Sequence, residues 1–252
     1  MQVEPYLDAP PLHLTYMPGR SDRLILAFSG VGSRYDAIQK PEAARLTGWD
    51  GENHVLFIAD ASRSWMNAPG LAETLLTAVQ RLVAQIKPAR IIAFGNSMGG
   101  SMALIFATMF KLDAVLALAP QFSVHFDIVP EERRWTYLRR AIAQWVFYEV
   151  PPLAGNSAQI MIVHGAGFGE VPHARRFRPA DCVDHYMIER FDHSLADSLK
   201  KIGALRPLIE AVIMGDFHAA RSVLTSVGGI TFPEFRSNFR AARKERRQNA
   251  AG

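Results

Sequence analysis

The chain has 252 residues, enough for one α/β domain with a full core; at 49% hydrophobic and 21% charged it has neither a disordered nor a membrane-protein composition. One cysteine, Cys182, excludes an internal disulfide and a cysteine metal cluster; it reads as a small residue at the start of a strand. The whole net charge of +4 lies from Glu234 onward, where Arg236, Arg240, Arg243, Lys244, Arg246 and Arg247 face Glu234 and Glu245; only Phe235 and Phe239 interleave, so 234–252 reads as a solvated basic helix or tail and no nucleic-acid partner is expected.

In chain order, residues 12–16 alternate and predict an outer strand. Arg23–Phe28 is a continuous apolar run that suits a buried parallel strand, and Ser29-Gly30-Val31-Gly32 follows as a glycine-rich turn. His54–Asp60 is a second such strand. Leu71–Ile86 carries apolar residues at helical spacing, and Pro88 stops that helix. A strand at 91–94 runs into Gly95-Asn96-Ser97-Met98-Gly99-Gly100, and a small-residue helix follows at once. Strands are predicted at 114–120, 158–165 and 182–188, and one helix over 195–214. Strands alternating with helices predict an α/β fold with a mostly parallel, doubly wound sheet in a single domain over 1–252. Residues 121–155 break the alternation and are rich in Arg, Trp and Tyr; they read equally as a small helical cap inserted over the site or as an enlarged crossover helix. No apolar run is long enough to span a bilayer, and residues 1–8 carry no basic stretch followed by an apolar one, so a cytoplasmic location is expected.

The segment Gly95-x-Ser97-x-Gly99 between strand and helix has a mechanical meaning. The strand must turn so sharply into the helix that Ser97 takes strained geometry, and the residues two before and two after must be nearly free of side chain. The helix start behind Ser97 offers free N–H groups and a positive dipole end to a developing oxyanion. His193, in 189–195, lies just past the last long strand, where a base for the serine would stand; His164 and His185 fall within strands, and His13, His54, His125 and His218 have no suitable place.

On these residues the chain resembles the α/β-hydrolase superfamily over nearly its full length. The elbow at Gly95–Gly100 and the placement of His193 carry the resemblance, which implies a Ser-acid-His triad and hydrolysis of an ester, thioester or amide without cofactor or metal. Ser97 is then the nucleophile, His193 the base and Met98 an oxyanion donor. The second oxyanion donor is expected on the loop after the Phe28 strand, at Val31, with Gly32 as the alternative. The acid should lie on the loop 165–174, whose sole carboxylate is Glu170; many members place an Asp a few residues before a Val-Pro pair, whereas here Gly167-Phe168-Gly169-Glu170 precedes Val171-Pro172. Asp181, Asp184 and Asp127 remain alternatives, and His173 is a candidate for lining the site.

Asp60-Ala61-Ser62-Arg63-Ser64-Trp65-Met66-Asn67 is more loosely similar to a segment of bacterial hydrolase-like proteins linked to surface polysaccharides and glycoprotein export. At the carboxyl end of a core strand, Trp65 would offer a flat face to a sugar ring and Arg63 a bidentate cation to an anionic group; equally, the segment is a structural loop pinned by Trp65. The function these readings imply is a serine esterase or deacylase acting on a small-molecule or saccharide ester. The alternatives are an acyltransferase using the same triad on a saccharide hydroxyl, and a non-enzymatic member of a polysaccharide or secretion assembly. Oligomeric state is left open.

Overall fold

Central strands that are apolar along most of their length can be stable only if both faces of their sheet are covered. The computed structural model, which describes residues 2–167 and 169–249 with side chains as far as residue 241, shows that arrangement. Strands β1 (Glu4–Ala9), β2 (Leu12–Met17), β3 (Arg23–Phe28), β4 (His54–Asp60), β5 (Arg90–Asn96), β6 (Ala114–Leu118), β7 (Gln159–Gly165), β8 (Val183–Ile188) and β9 (Gly229–Thr231) form one sheet in the order β1-β2-β4-β3-β5-β6-β7-β8-β9. The six strands from β4 to β8 are parallel, and antiparallel pairs close the two edges.

The helices are α1 (Ala44–Gly48), α2 (Leu71–Ile86), α3 (Met98–Ala107), α4 (Thr136–Arg140), α5 (Val171–Ala174), α6 (Leu195–Lys201), α7 (Leu205–Met214), α8 (Phe217–Ser226) and α9 (Phe232–Asn249). Period-two side chains divide each strand between two cores. On β3, Leu24, Leu26 and Phe28 join α2 and α3, while Ile25 and Ala27 join α6, α7 and α8. The sheet is thus mostly parallel and doubly wound, as the alternation of elements predicts. Along α2 the buried Leu71, Leu75, Val79 and Leu82 recur at helical spacing, each contributing roughly 1.5–3 kcal/mol by burial.

One expectation fails by a single residue. The helix predicted over 195–214 is two helices, because Gly203 takes φ +76° and turns the chain between α6 and α7. The break lets Leu199 and Leu208 both face the same core; apolar periodicity continues across such a turn and conceals it.

Residues 121–155 contain one short helix, α4, and are otherwise turns and irregular chain. They lie against the loop after β4, where Asn67 Oδ1 accepts the N–H groups of Val146 (2.8 Å) and Phe147 (2.7 Å). At the other end of the chain, Phe232 and Phe235 of α9 pack with Met187 and Ala174 in a small third cluster. The basic residues from Arg243 to Arg247 have side chains outside the described set.

Candidate active site

Ser97 joins β5 to α3 with φ 56° and ψ −125°, a backbone conformation that a residue with a side chain adopts only where its surroundings impose it. Crowding imposes it here. A Cβ on Gly95 would lie 2.2 Å from the Gly99 carbonyl carbon, and one on Gly99 would lie 2.1 Å from the Phe28 oxygen. Only bare backbone lets β5, the elbow and β3 close together.

From this position Ser97 Oγ is 2.8 Å from His193 Nε2, and His193 Nδ1 is 2.9 Å from Glu170 Oε1. An ionised carboxylate only accepts, so Nδ1 carries the proton and Nε2 is left to accept from the serine hydroxyl. Glu170 stands before α5 on the loop after β7, and His193 on the loop after β8. The loops touch backbone to backbone: a Cβ on Gly165 would lie 2.3 Å from the Phe191 oxygen. Burial opposes the charge on Glu170, but the hydrogen bond from His193 and the fields of His164, His193 and Arg134 outweigh it and hold the carboxyl at about 2. The other candidate carboxylates lie elsewhere. Asp184 pairs with Arg221 at 2.8 Å, Asp181 is exposed, and Asp127 extends into solvent beside His125.

Arg134, from residues 121–155, donates to Glu170 Oε1 at 2.7 Å and to Glu132 Oε2 at 2.6 Å. Glu132 is also buried. Desolvation raises its pKa, but hydrogen bonds from His173 and Arg134 overcome this and leave it at about 2. The Phe122 N–H donates to His173 Nδ1 (3.1 Å), so Nε2 carries the proton that reaches Glu132 at 2.9 Å. His173 is therefore a buried brace between Phe122 and Glu132, and the expectation that it lines the site is corrected.

The segment after β4 is corrected in the same way. Arg63 is 2% exposed, and four of its N–H groups are engaged by the carbonyls of Val31, Ala61, Arg34 and Ala37. It pins the loop after β3 and is not free to grip an anion. Trp65 is 3% exposed, packs against Trp135 with ring centroids 5.9 Å apart, and donates Nε1–H to Gln121 Oε1 at 2.9 Å. It has no open face for a sugar ring. Trp135 in turn meets the His193 ring edge-on at 5.1 Å.

Among the described residues, neither the Met98 N–H nor the Val31 N–H has a hydrogen-bond acceptor, and Gly32 follows Val31, exposed, at φ +76°. Also among the described residues, no three His, Cys, Asp or Glu side chains converge as a cation site, and no helix is long and apolar enough to cross a membrane.

Three residues at the centre of this arrangement escape sequence reading. Gln121 Nε2 donates to Ser97 Oγ at 3.2 Å; its only signal is a polar side chain just past the end of a core strand. Glu132 and Arg134 sit in Glu131-Glu132-Arg133-Arg134, inside the segment 121–155 that reads only as a cap or an enlarged crossover helix. Chemically, the assembly can take a proton from a hydroxyl and hold the resulting imidazolium against a carboxylate.

No family profile matches the chain and no curated protein sequence does. Solved structures match in shape. An esterase of Pyrococcus furiosus superposes with a TM-score of 0.58 at 12% identity, over 83% of this chain and 91% of its own. The capsule O-acetyltransferase of Neisseria meningitidis serogroup A gives 0.56 at 14% identity, over 82% and 93%. An arylesterase gives 0.51 at 12% identity, over 88% and 85%. At such identities the likeness is one of fold.

Proposed function

Since the chain has the α/β-hydrolase fold, we propose that it is a serine hydrolase that cleaves a carboxylic ester through an acyl-enzyme on Ser97. The observation that carries this reading is the unbroken path from Ser97 Oγ through His193 to Glu170, built on a strained elbow. Strain of this kind persists only where the surrounding structure over-determines it, and it concentrates at functional sites.

In the proposed reaction Ser97 Oγ attacks the acyl carbon while its proton passes to His193 Nε2. Glu170 stabilises the imidazolium. The oxyanion rests on the N–H groups of Met98 and Val31, which lack acceptors, with Gly32 N–H as the alternative to Val31. His193 returns the proton to the leaving alcohol, then activates water to cleave the acyl-enzyme. The same steps with a saccharide hydroxyl in place of water make an acyltransferase, the second reading, which the shared fold of the capsule O-acetyltransferase favours.

The test is covalent. A fluorophosphonate probe labels Ser97, and p-nitrophenyl acetate is hydrolysed with a burst that reports the acyl-enzyme. A chain that is neither labelled nor active on short-chain esters is not a serine hydrolase. A panel of sugar acceptors that accelerates loss of the acyl-enzyme over water assigns the transferase reading.

A further inference from the structure

The segment Ser62–Asn67 is built with more care than a connection needs. Arg63, Trp65 and Met66 have φ values of 52°, 51° and 73°, three left-handed non-glycine residues within four positions. Buried Asp60 holds it from below, accepting the N–H of Ser62 and of Ser64 and both their hydroxyls. Arg63 ties it to the loop after β3, and Asn67 ties it to residues 146 and 147. All of this orients one donor, Trp65 Nε1–H, at Gln121 Oε1.

That donor decides which way round Gln121 lies. The oxygen and nitrogen of an amide are nearly isosteric, but an indole N–H can only donate, so the atom facing Trp65 is the oxygen. Ser101 Oγ, a donor to the Gln121 main-chain oxygen at 2.8 Å, lies on the same side, 3.4 Å from Oε1. The amide nitrogen is thereby turned toward Ser97 Oγ at 3.2 Å. Gln121 is 1% exposed, so water does not compete for this contact.

We infer that Gln121 is a catalytic hydrogen-bond donor to the nucleophile itself, and that Trp65 is the positioning residue that fixes its amide. The inference rests on the proposed role of Ser97. A hydroxyl has one proton and two lone pairs. With the proton toward His193 and one lone pair on Gln121, a single lone pair remains for the acyl carbon. As His193 takes the proton, negative charge gathers on Oγ, and the Gln121 N–H is placed to stabilise it. The same N–H meets the oxygen again when the acyl-enzyme breaks down and Oγ departs. This donor is separate from those that face the carbonyl oxygen.

The experiment compares wild type with Gln121→Met, Gln121→Glu and Trp65→Phe, reading fluorophosphonate labelling rate, kcat, KM and thermal midpoint. Gln121→Met keeps the length of the side chain without the N–H; kcat and labelling rate should fall about 10-fold with KM within about 2-fold, the scale of one lost hydrogen bond. In Gln121→Glu the side chain still accepts from Trp65 but donates only when protonated. Its activity relative to wild type should therefore rise as pH falls from 8 to 5, which a purely structural role for residue 121 would not produce. Trp65→Phe should lose a few-fold in kcat, and nothing further when added to Gln121→Met. If wild type is labelled and active but Gln121→Met stays within 2-fold of it, or if the Gln121→Glu ratio is flat with pH, Gln121 is not a donor to the nucleophile. If Gln121→Met does not fold, an unaltered kcat in Trp65→Phe overturns the inference by itself. If wild type is itself neither labelled nor active, the hydrolase reading fails first and takes this inference with it.

Discussion

Arg134 and His193 meet on a single oxygen: Arg134 Nη1 and His193 Nδ1 lie 2.7 and 2.9 Å from Glu170 Oε1. One comes from the irregular chain between β6 and β7, the other from the loop after β8. The carboxylate that orients the imidazole is thus also one of the points where residues 121–155 are fastened to the loops above the sheet.

Replacing Ser97 with Ala should lower hydrolysis of p-nitrophenyl acetate by on the order of 10³-fold or more, with the thermal midpoint unchanged or raised. Ala removes only a buried hydroxyl and leaves the elbow backbone, Gly95 and Gly99 undisturbed. Near-normal turnover in this variant would remove Ser97 as the nucleophile.

His193→Ala should cost about as much as Ser97→Ala, and the double variant little more, because the two side chains act as a unit. Rates measured for both single variants and the pair decide this. Losses that multiply would mean that His193 works at another step.

For Glu170, the informative change is to Gln. The side chain keeps its shape but loses its charge. Arg134 can only donate, so the amide oxygen keeps the position it shares with His193 Nδ1 and the tautomer is retained, while the imidazolium that forms loses its counter-charge. The expected loss in kcat is on the order of 10–10³-fold. A loss under about 3-fold, with a crystal structure showing His193 unmoved, would mean that the charge of this carboxylate does not stabilise the imidazolium.

Arg134→Met leaves two buried carboxylates with fewer partners and should cost about 3 kcal/mol of stability at pH 7. The pH dependence has a definite sign. Glu132 and Glu170 have folded pKa values depressed from 4.5 to about 2, so their pairing contributes fully above about 4.5 and is lost as pH falls toward 2. The gap between variant and wild type should be widest at neutral pH and should close across that window. Urea unfolding at pH 7, 5, 4 and 3 measures it; Arg134 also lies over the Trp135 ring, 4.6 Å from its centroid, and a gap independent of pH would show that it stabilises by that packing and not by charge.

Asn67→Leu removes the acceptor shared by the Val146 and Phe147 N–H groups and should destabilise by about 3 kcal/mol. Hydrogen exchange should quicken at 146 and 147 while amides in β5 and β6 keep their protection. Uniform acceleration across the sheet would place Asn67 in the global core instead.

Local signals carried much of the fold. Arg23–Phe28, His54–Asp60 and Leu71–Ile86 have the same bounds in sequence and structure, because apolar runs and helical spacing are set by near neighbours. Several elements were not legible, the short α1 and α5 among them. β1, α8 and β9 have mixed, half-exposed patterns, and they owe their form to the elements they pack on. The turn at Gly203 was equally hidden, since one glycine in a periodic run has the same pattern whether or not the helix continues.

At the site, the division follows sequence separation. The glycines around Ser97 announce a strained turn because part of the crowding is local, between Gly95 and Gly99 four residues on; the contact of Gly99 with Phe28 is made only by the fold. The positions of His193 and Glu170 follow from where strands end. Whether a side chain at such a position faces a cleft or the interior depends on residues far along the chain. Arg63 meets carbonyls 26 to 32 residues before it, Trp65 meets Gln121 56 residues on, and His173 meets Glu132 41 residues back. Each has the composition of a ligand-binding residue and the burial of a structural one. The sequence by itself determined the central strands of the sheet, the elbow and which loops hold Ser97, His193 and Glu170. Only the tertiary structure decided that Gln121 faces Ser97 and that Arg134 shares Glu170, because an isolated glutamine or arginine carries no local pattern and acquires its role from the partners that folding brings to it.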